Sequence, residues 1–190
     1  MSDDENAQRF ESLVMPHLDA AYNLARWLTR NDHDAQDVVQ EALVRAMRYI
    51  GGFRGESGRA WLLQIVRNSC FSWLKANRPA ERMLLDDEDS LHEITAPASD
   101  EPPSIAMRKA DRLQINQAIA ALPVVYREVL VLRELEDISY NDIARIADIP
   151  VGTVMSRLAR ARGLMREALT PSARPVLRTV PRSACGGEQP

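Results

Sequence analysis

Two helical patterns stand close together in SYNDIARIADIPVGTVMSRLARAR, residues 139–162, near the carboxyl end of the chain. The first ten of these residues carry apolar side chains at helical spacing, and Ser139 followed three positions later by Asp142 is typical of a capping box at a helix start. The residues IP then interrupt the pattern, and a second helical pattern follows at once. Two helices joined by so short a turn predict a helix-turn-helix unit.

The second helix of this unit separates an apolar side from a cationic side. Its apolar side comprises Val154, Leu158, Ala161 and Met165. Its opposite side comprises Ser156, Ala159, Arg160 and Gly163, flanked by Met155, Arg157 and Arg166. Small residues let a helix approach a surface closely, and arginines reach base edges or phosphates. A solvated arginine-rich face is the alternative, but the cap, the turn and the small residues together favour DNA as the partner.

The composition predicts an all-α protein and excludes several classes. The chain has 190 residues with 27 acidic and 24 basic side chains, few aromatic residues and apolar stripes at helical spacing.

Its acidic start, MSDDENAQRF, lacks the basic region of an export signal, and no apolar run approaches the ~20 residues of a membrane span. We therefore expect a cytoplasmic protein with no membrane insertion. Its two cysteines and three histidines form no ligand cluster, so we expect no metal, no cofactor and a buried Cys70.

Changes in composition divide the chain into two small helical domains joined by a flexible acidic linker. Four consecutive acidic residues at 86–89 and several prolines mark the linker. The expected division is a disordered N-terminus at 1–9, a first helical module at 10–78, the linker at 79–110, the helix-turn-helix module at 111–170 and a disordered tail at 171–190.

The first module carries two candidate surfaces. One is a helical face with Asp34, Asp37, Glu41, Arg45 and Arg48, which is either a solvated face or a protein-docking surface. The other is the glycine-rich GGFRGESG, residues 51–58, with the helix that follows it. Aromatic rings, amides and cations there are the components that hold an unstacked base. The candidate residues are Phe53, Arg54, Arg59, Arg67, Asn68, Lys75 and Arg78, whereas we expect Trp61 and Trp73 to pack in the core.

Two segments carry a resemblance to a known family. DAQDVVQEALVRAMRYIGGFRGESGRAWLLQIVRN, residues 34–68, resembles region 2 of the extracytoplasmic-function sigma factors of bacterial RNA polymerase, and ALPVVYREVLVLRELEDISYNDIARIADIPVGTVMSRLARAR, residues 121–162, resembles region 4. The resemblance implies a non-enzymatic protein that binds core RNA polymerase, directs it to promoters and supports DNA melting, in response to a stress or envelope signal. It also implies an anti-sigma factor as a further partner.

The resemblance assigns roles to individual residues. It implies that Asp37, Gln40 and Glu41 dock on the coiled coil of the polymerase beta-prime clamp, that the second module meets the beta flap, and that the 51–58 loop and the following helix, with Asn68, capture the melted minus-ten element. The residues that it places at the minus-thirty-five element are Gly152, Thr153, Met155, Ser156, Arg157 and Arg160.

The chain departs from the family pattern at two positions. Met155 stands where the family often has a cation, and Ser72 stands where it commonly has an aspartate. Met155 predicts an altered promoter preference. Ser72, together with a sparser basic run after Leu74, predicts a minus-ten affinity that depends more on the polymerase.

Two other functions fit parts of the chain. A helix-turn-helix repressor would explain the second module but not the first, and it would normally bind a palindrome as a dimer. A metal-dependent nuclease would use Asp34, Asp37 and Glu41, but neighbouring cations and the lack of a catalytic base argue against it. We therefore expect no catalytic residues.

Overall fold

The chain forms eight α-helices within residues 3–55, 57–78 and 103–170, which are the residues that the computed structural model describes. No strand occurs within these ranges, so the all-α prediction is confirmed. The helices are α1 (Asp3–Leu13), α2 (Leu18–Thr29), α3 (Asp32–Tyr49), α4 (Gly58–Asn77), α5 (Pro103–Ala121), α6 (Val124–Leu130), α7 (Tyr140–Ala147) and α8 (Val151–Leu169).

The first module consists of α1 to α4, with short 3-10 turns at Met15–His17 and Ile50–Gly52. Local caps define its helix ends. The side chain of Asn31 accepts hydrogen bonds from the first-turn amides of α3, and that of Ser57 accepts one from Ala60 in α4. Helices α2, α3 and α4 pack on one another around fully buried leucines and alanines. Helices α3 and α4 thus flank the glycine-rich loop.

The second module consists of α5 to α8, with a π-helical turn at Val131–Leu135 after α6. Every residue of α6 is buried. Ser139 Oγ accepts a hydrogen bond from the Asp142 amide at 3.1 Å and donates one to the Asp142 carboxylate at 2.7 Å. The capping box is thus closed through the two side chains rather than through the Ser139 amide. Helix α7 ends at Ala147, its C-cap Asp148 is left-handed with a φ of 54°, and α8 begins at Val151.

Two expected boundaries are corrected by the helices. Residues 3–9 were expected to be disordered, but they form the start of α1, and Arg9 Nη2 donates to the Phe53 carbonyl at 2.9 Å. Residues 103–110 were expected to belong to the linker, but they begin α5. The acidic segment at 79–102 and the tail at 171–190 lie outside the described residues.

The two modules pack directly against each other. Helix α4 of the first module contacts α7 of the second, and α2 contacts α6. Buried apolar side chains from both modules form one cluster. The sequence predicted two modules joined by a linker, and the structure adds this direct contact, in which the fully buried α6 packs against α2 of the first module.

Candidate nucleic-acid interface

Helix α8 presents a slim exposed face, as its sequence pattern predicted. Val154, Leu158 and Ala161 are buried, which confirms the apolar side. The exposed residues of its first three turns are Gly152, Met155, Ser156, Ala159, Arg160 and Arg162. A side chain added at Gly152 would meet open space. Short side chains, one flexible thioether and two exposed cations, Arg160 and the Glu134-paired Arg162, thus make a surface that can approach a groove closely.

Two predicted minus-thirty-five residues lie off this face. Thr153 is half-buried, and its amide donates to the Pro150 carbonyl at 2.9 Å. Arg157 is also half-buried, and its Nε is enclosed without a hydrogen-bond partner among the described residues. Its positive charge acts on Glu128, a buried carboxylate on α6. In this arrangement Arg157 therefore faces the interior rather than solvent.

The loop before α4 is organised by its own side chains. Phe53 stacks on Trp61 with ring centroids 4.6 Å apart. Arg54 Nη1 donates to the carbonyls of Gly51 and Phe53, at 2.8 and 3.0 Å. Trp61 is half-buried against the core, as expected. The loop therefore holds an aromatic pair beside the start of α4.

Two of the predicted minus-ten residues lie along the second half of α4, and a third is its C-cap. Asn68 and Lys75 are exposed. The guanidinium of Arg78 lies 5.6 Å from the centre of the Trp73 ring, and Trp73 itself packs against the core, as expected. Hydrogen-bonding and cationic groups therefore continue along this side of α4.

Arg59 and Arg67 are paired instead with carboxylates of the second module. Arg59 Nη2 lies 2.9 Å from Glu136 Oε2, and Arg67 Nε lies 2.7 Å from Glu128 Oε1. Arg67 also covers the Phe71 ring, 4.1 Å from its centre. Burial and the charge of Arg59 lower the pKa of His17. The structure thus takes two of the predicted DNA-binding cations into the contact between modules.

Glu128 is the most enclosed carboxylate in the described part of the chain. Its side chain has no exposed surface. Burial raises the pKa of Glu128, while the charges of Arg67 and Arg157 act in the opposite direction. Sequence reasoning missed both Glu128 and Glu136. The sequence offered one indication, for Glu128, which stands within the apolar run VVYREVLVL. A charged side chain in such a run is expected to be buried, and a buried charge requires a partner.

The predicted polymerase-docking residues share the exposed side of α3. Asp37, Gln40 and Glu41 are all exposed. Arg45 donates a hydrogen bond to Glu41, and His33 Nδ1 lies 3.3 Å from Asp37 Oδ2. The same side continues into apolar side chains that the sequence analysis did not single out. These are Val44, Met47 and Tyr49, with relative exposures of 60%, 43% and 63%.

Two features are absent from the described part of the chain, a metal-ligand cluster and a membrane-spanning helix. Among residues 3–55, 57–78 and 103–170, no three His, Cys, Asp or Glu side chains are grouped so that they could hold a metal ion. None of the described helices is both long and apolar enough to cross a membrane. Cys70 is buried, as expected, and burial raises the pKa of its thiol to about 12.

Comparisons with known proteins identify both modules. Residues 13–79 match the family described as Sigma-70 region 2, and residues 112–165 match Sigma-70, region 4. The RNA polymerase sigma-H factor of Pseudomonas aeruginosa is 36% identical over 170 residues, which cover 87% of this chain and 88% of that protein. The ECF RNA polymerase sigma-E factor of Haemophilus influenzae is 38% identical over 153 residues, which cover 78% of this chain and 80% of that protein.

Two solved structures share the arrangement of helices. The sigma factor RpoE, crystallised with the anti-sigma factor NepR from Bartonella quintana, has a TM-score of 0.63 and 28% identity, covering 86% of this chain and 98% of that one. CnrH, in complex with the cytosolic domain of CnrY, has a TM-score of 0.60 and 23% identity, and the match covers 88% of this chain and 96% of that one. At this identity the match supports the fold alone. With two family matches and relatives that span most of its length, this chain belongs to the extracytoplasmic-function sigma factors of bacterial RNA polymerase.

Proposed function

We propose that this sigma factor binds core RNA polymerase in the cytoplasm, directs it to a defined set of promoters and supports strand opening, without catalysing a reaction itself. The observation that carries the proposal is the exposed face of α8, where small side chains and Arg160 are presented by a capped helix-turn-helix. A polymerase-free repressor needs only this unit. The family match of the first module favours a polymerase partner.

Run-off transcription tests this function directly. Purified core polymerase is assayed with and without the protein on a library of candidate promoters, and the start sites are sequenced. Initiation at a defined subset that depends on the protein is expected. DNA binding without any redirection of the polymerase would contradict the proposal and favour a repressor.

Arg160 is proposed to contact base edges in the minus-thirty-five element. A good bidentate contact between arginine and guanine contributes about 1–3 kcal/mol of discrimination. Arg160→Ala should therefore reduce initiation at the selected promoters about 5- to 150-fold. Arg162→Ala is the matched control, because Arg162 lies on the same helix but is held by Glu134 at 2.6 Å. Equal losses for both variants would remove the specific role of Arg160.

Met155 is proposed to set part of the promoter preference. Its side chain is 51% exposed beside Ser156, and a thioether makes only weak polar contacts. Met155→Arg introduces a cation at the position where the family often has one. We expect the set of selected minus-thirty-five sequences to change. An identical set from the same library would show that Met155 does not meet the DNA.

The exposed side of α3 is proposed to dock on the beta-prime clamp through Asp37, Gln40 and Glu41. Reversing a charge within a complementary interface opposes association. Glu41→Lys should weaken binding to core polymerase at least tenfold, measured by fluorescence anisotropy. Glu11→Lys, at an exposed position on α1, makes the same charge change away from this side. Equal weakening by both variants would reject the site.

An anti-sigma factor is proposed as the regulator, because a structural relative at 28% identity was crystallised with one. The partner would hold this sigma factor away from polymerase until a stress or envelope signal releases it. Capture of tagged protein from unstressed cells of the source bacterium, followed by competition with core polymerase, tests the proposal. A bound protein that core polymerase cannot displace, and that blocks run-off transcription, is expected.

A further inference from the structure

Helix α1 lies against the glycine-rich loop that precedes α4, in a part of the chain for which the sequence suggested no role. Phe10 and Leu13 of α1 pack against the core. Two further side chains of the same helix, Asn6 and Arg9, are half-buried. The helix contacts the 3-10 turn Ile50–Gly52, where the loop begins. Helix α1 is thus fixed in the first module, with polar side chains beside the loop.

These polar side chains meet the first residues of the loop. Arg9 Nη2 donates to the Phe53 carbonyl at 2.9 Å, and the same carbonyl accepts from Arg54 Nη1 at 3.0 Å. Asn6 Oδ1 is enclosed and lies 3.3 Å from the point where a Cβ would stand at Gly51. The absence of a side chain at Gly51 therefore lets the turn approach α1 closely.

The end of α1 meets the other end of the loop. A Cβ at Gly58, the first residue of α4, would lie 2.3 Å from the Leu13 carbonyl oxygen. The backbones of the two helices are thus in direct contact at this point. Ser57 Oγ accepts from the Ala60 amide at 3.2 Å, which fixes the start of α4 beside this contact. Helix α1 therefore touches the loop at both of its ends.

The residue that Arg9 holds also carries the aromatic ring of the loop. The Phe53 ring stacks on Trp61, and a Cβ at Gly55 would lie 2.6 Å from the other atoms of the same ring. The Phe53 amide donates to the Ile50 carbonyl at 3.1 Å. The backbone and the ring of Phe53 are therefore fixed together. A ring that is already held in place loses less conformational entropy when a base stacks on it.

We propose that Arg9 is a positioning residue for capture of the melted minus-ten strand, because it ties α1 to the Phe53 carbonyl and so holds the loop in the conformation that receives the strand. Arg9 acts through the loop rather than on the DNA. This inference rests on the proposed function, since it takes the 51–58 loop to bind the strand. Loss of the contact should weaken strand capture and leave the polymerase-docking side of α3 unchanged.

Three variants separate this role from an effect of charge or of overall stability. Arg9→Met removes the guanidinium and keeps most of the length of the side chain. Arg9→Lys keeps the positive charge and a donor. Arg26→Met is the matched control, because it makes the same charge change within the first module, at an exposed residue that pairs with Asp32 rather than with the loop.

Amide exchange in the free full-length protein, followed by nuclear magnetic resonance, tests the loop without DNA or polymerase. The Phe53 amide should exchange at least about threefold faster in Arg9→Met than in the parent, whereas the amide of buried Val66 in α4 should keep its parental rate. Arg26→Met should change neither rate. Unchanged exchange at Phe53 would overturn the proposal, and so would an equal acceleration at Phe53 and Val66.

Strand binding by the holoenzyme tests the consequence. The probe is a fluorescein-labelled single strand with the minus-ten sequence of a promoter selected by run-off transcription. Arg9→Met should weaken its binding at least about fivefold, with affinity for core polymerase unchanged within about twofold, because a hydrogen bond from a charged group is lost only at the loop. Arg9→Lys should recover part of this loss.

The outcomes separate the inference from the proposed function. Equal losses of strand affinity and core affinity, or an equal loss of strand affinity in Arg26→Met, would overturn the positioning role. Weaker strand binding with unchanged Phe53 exchange would also overturn it, because Arg9 would then contact the strand itself. If run-off transcription selects no promoter, the proposed function fails, and the exchange rate of Phe53 still decides whether α1 holds the loop.

Discussion

Replacing Arg67 with methionine removes the guanidinium that faces Glu128 and keeps most of the length of the side chain. In the parent protein Arg67 Nε lies 2.7 Å from Glu128 Oε1, and the two side chains are 18% and 0% exposed. Removing one partner of a buried ion pair typically costs about 3–5 kcal/mol, because the remaining charge is left uncompensated. The free energy of unfolding should fall, and the size of the fall should depend on pH.

The pH dependence arises because Glu128 can take up a proton. Burial already raises the pKa of Glu128 above its ordinary value of 4.5. Protonating a carboxyl group with that ordinary value costs about 3 kcal/mol at pH 7 and less than about 1 kcal/mol at pH 5. Loss of Arg67 raises the pKa of Glu128 in the folded protein further, because the charge of Arg67 lowers it in the parent. The stability that protonated Glu128 provides is therefore present at low pH and is lost as the pH rises through this raised pKa. The destabilisation should therefore stay below about 3 kcal/mol at pH 7, and Arg157 should reduce it further.

Urea unfolding followed by circular dichroism at pH 5 and pH 7 measures the effect. Arg162→Met is the control, since its pair with Glu134 is exposed at 49% and 45% and should contribute less than about 1 kcal/mol at either pH. The Arg67→Met loss should be clearly larger at pH 7 than at pH 5. An equal loss at both values would mean that Glu128 already holds its proton in the parent, and the ion-pair reasoning would be refuted.

Three further predictions concern single positions. Gly58→Ala should destabilise the protein by about 1–3 kcal/mol in thermal melts, because the added Cβ would lie 2.3 Å from the Leu13 carbonyl oxygen. Gly52→Ala is the control and should be near neutral, since no atom lies within 4 Å of a Cβ added there. Gly163→Ala should stabilise α8 by about 0.5–1 kcal/mol in the same melts, and a lower melting temperature would contradict its open surroundings. Burial raises the pKa of the Cys70 thiol to about 12, so this thiol should react slowly with Ellman's reagent at pH 8. In a Cys185→Ser variant, the reaction should be much slower in the native protein than in the urea-unfolded protein. Rapid native labelling would reject its burial.

Features set by neighbouring residues were predictable from the sequence. Apolar spacing and capping residues act within one or two helical turns, so the helix-turn-helix and the buried side of α8 followed from residues 139–162 alone. Residues 3–9 were misjudged because their polar composition suggested disorder. Their helix is supported by a contact 44 positions away, from Arg9 to the Phe53 carbonyl.

Features that join distant residues were not predictable in this way. Nothing in the spacing of α4 shows that Arg59 and Arg67 meet Glu136 and Glu128, because the pairing depends on how the modules pack. Arg157 illustrates the consequence. Its position on the helix wheel placed it beside the cationic side, but the attraction of Glu128 and the packing of α6 turn it inward.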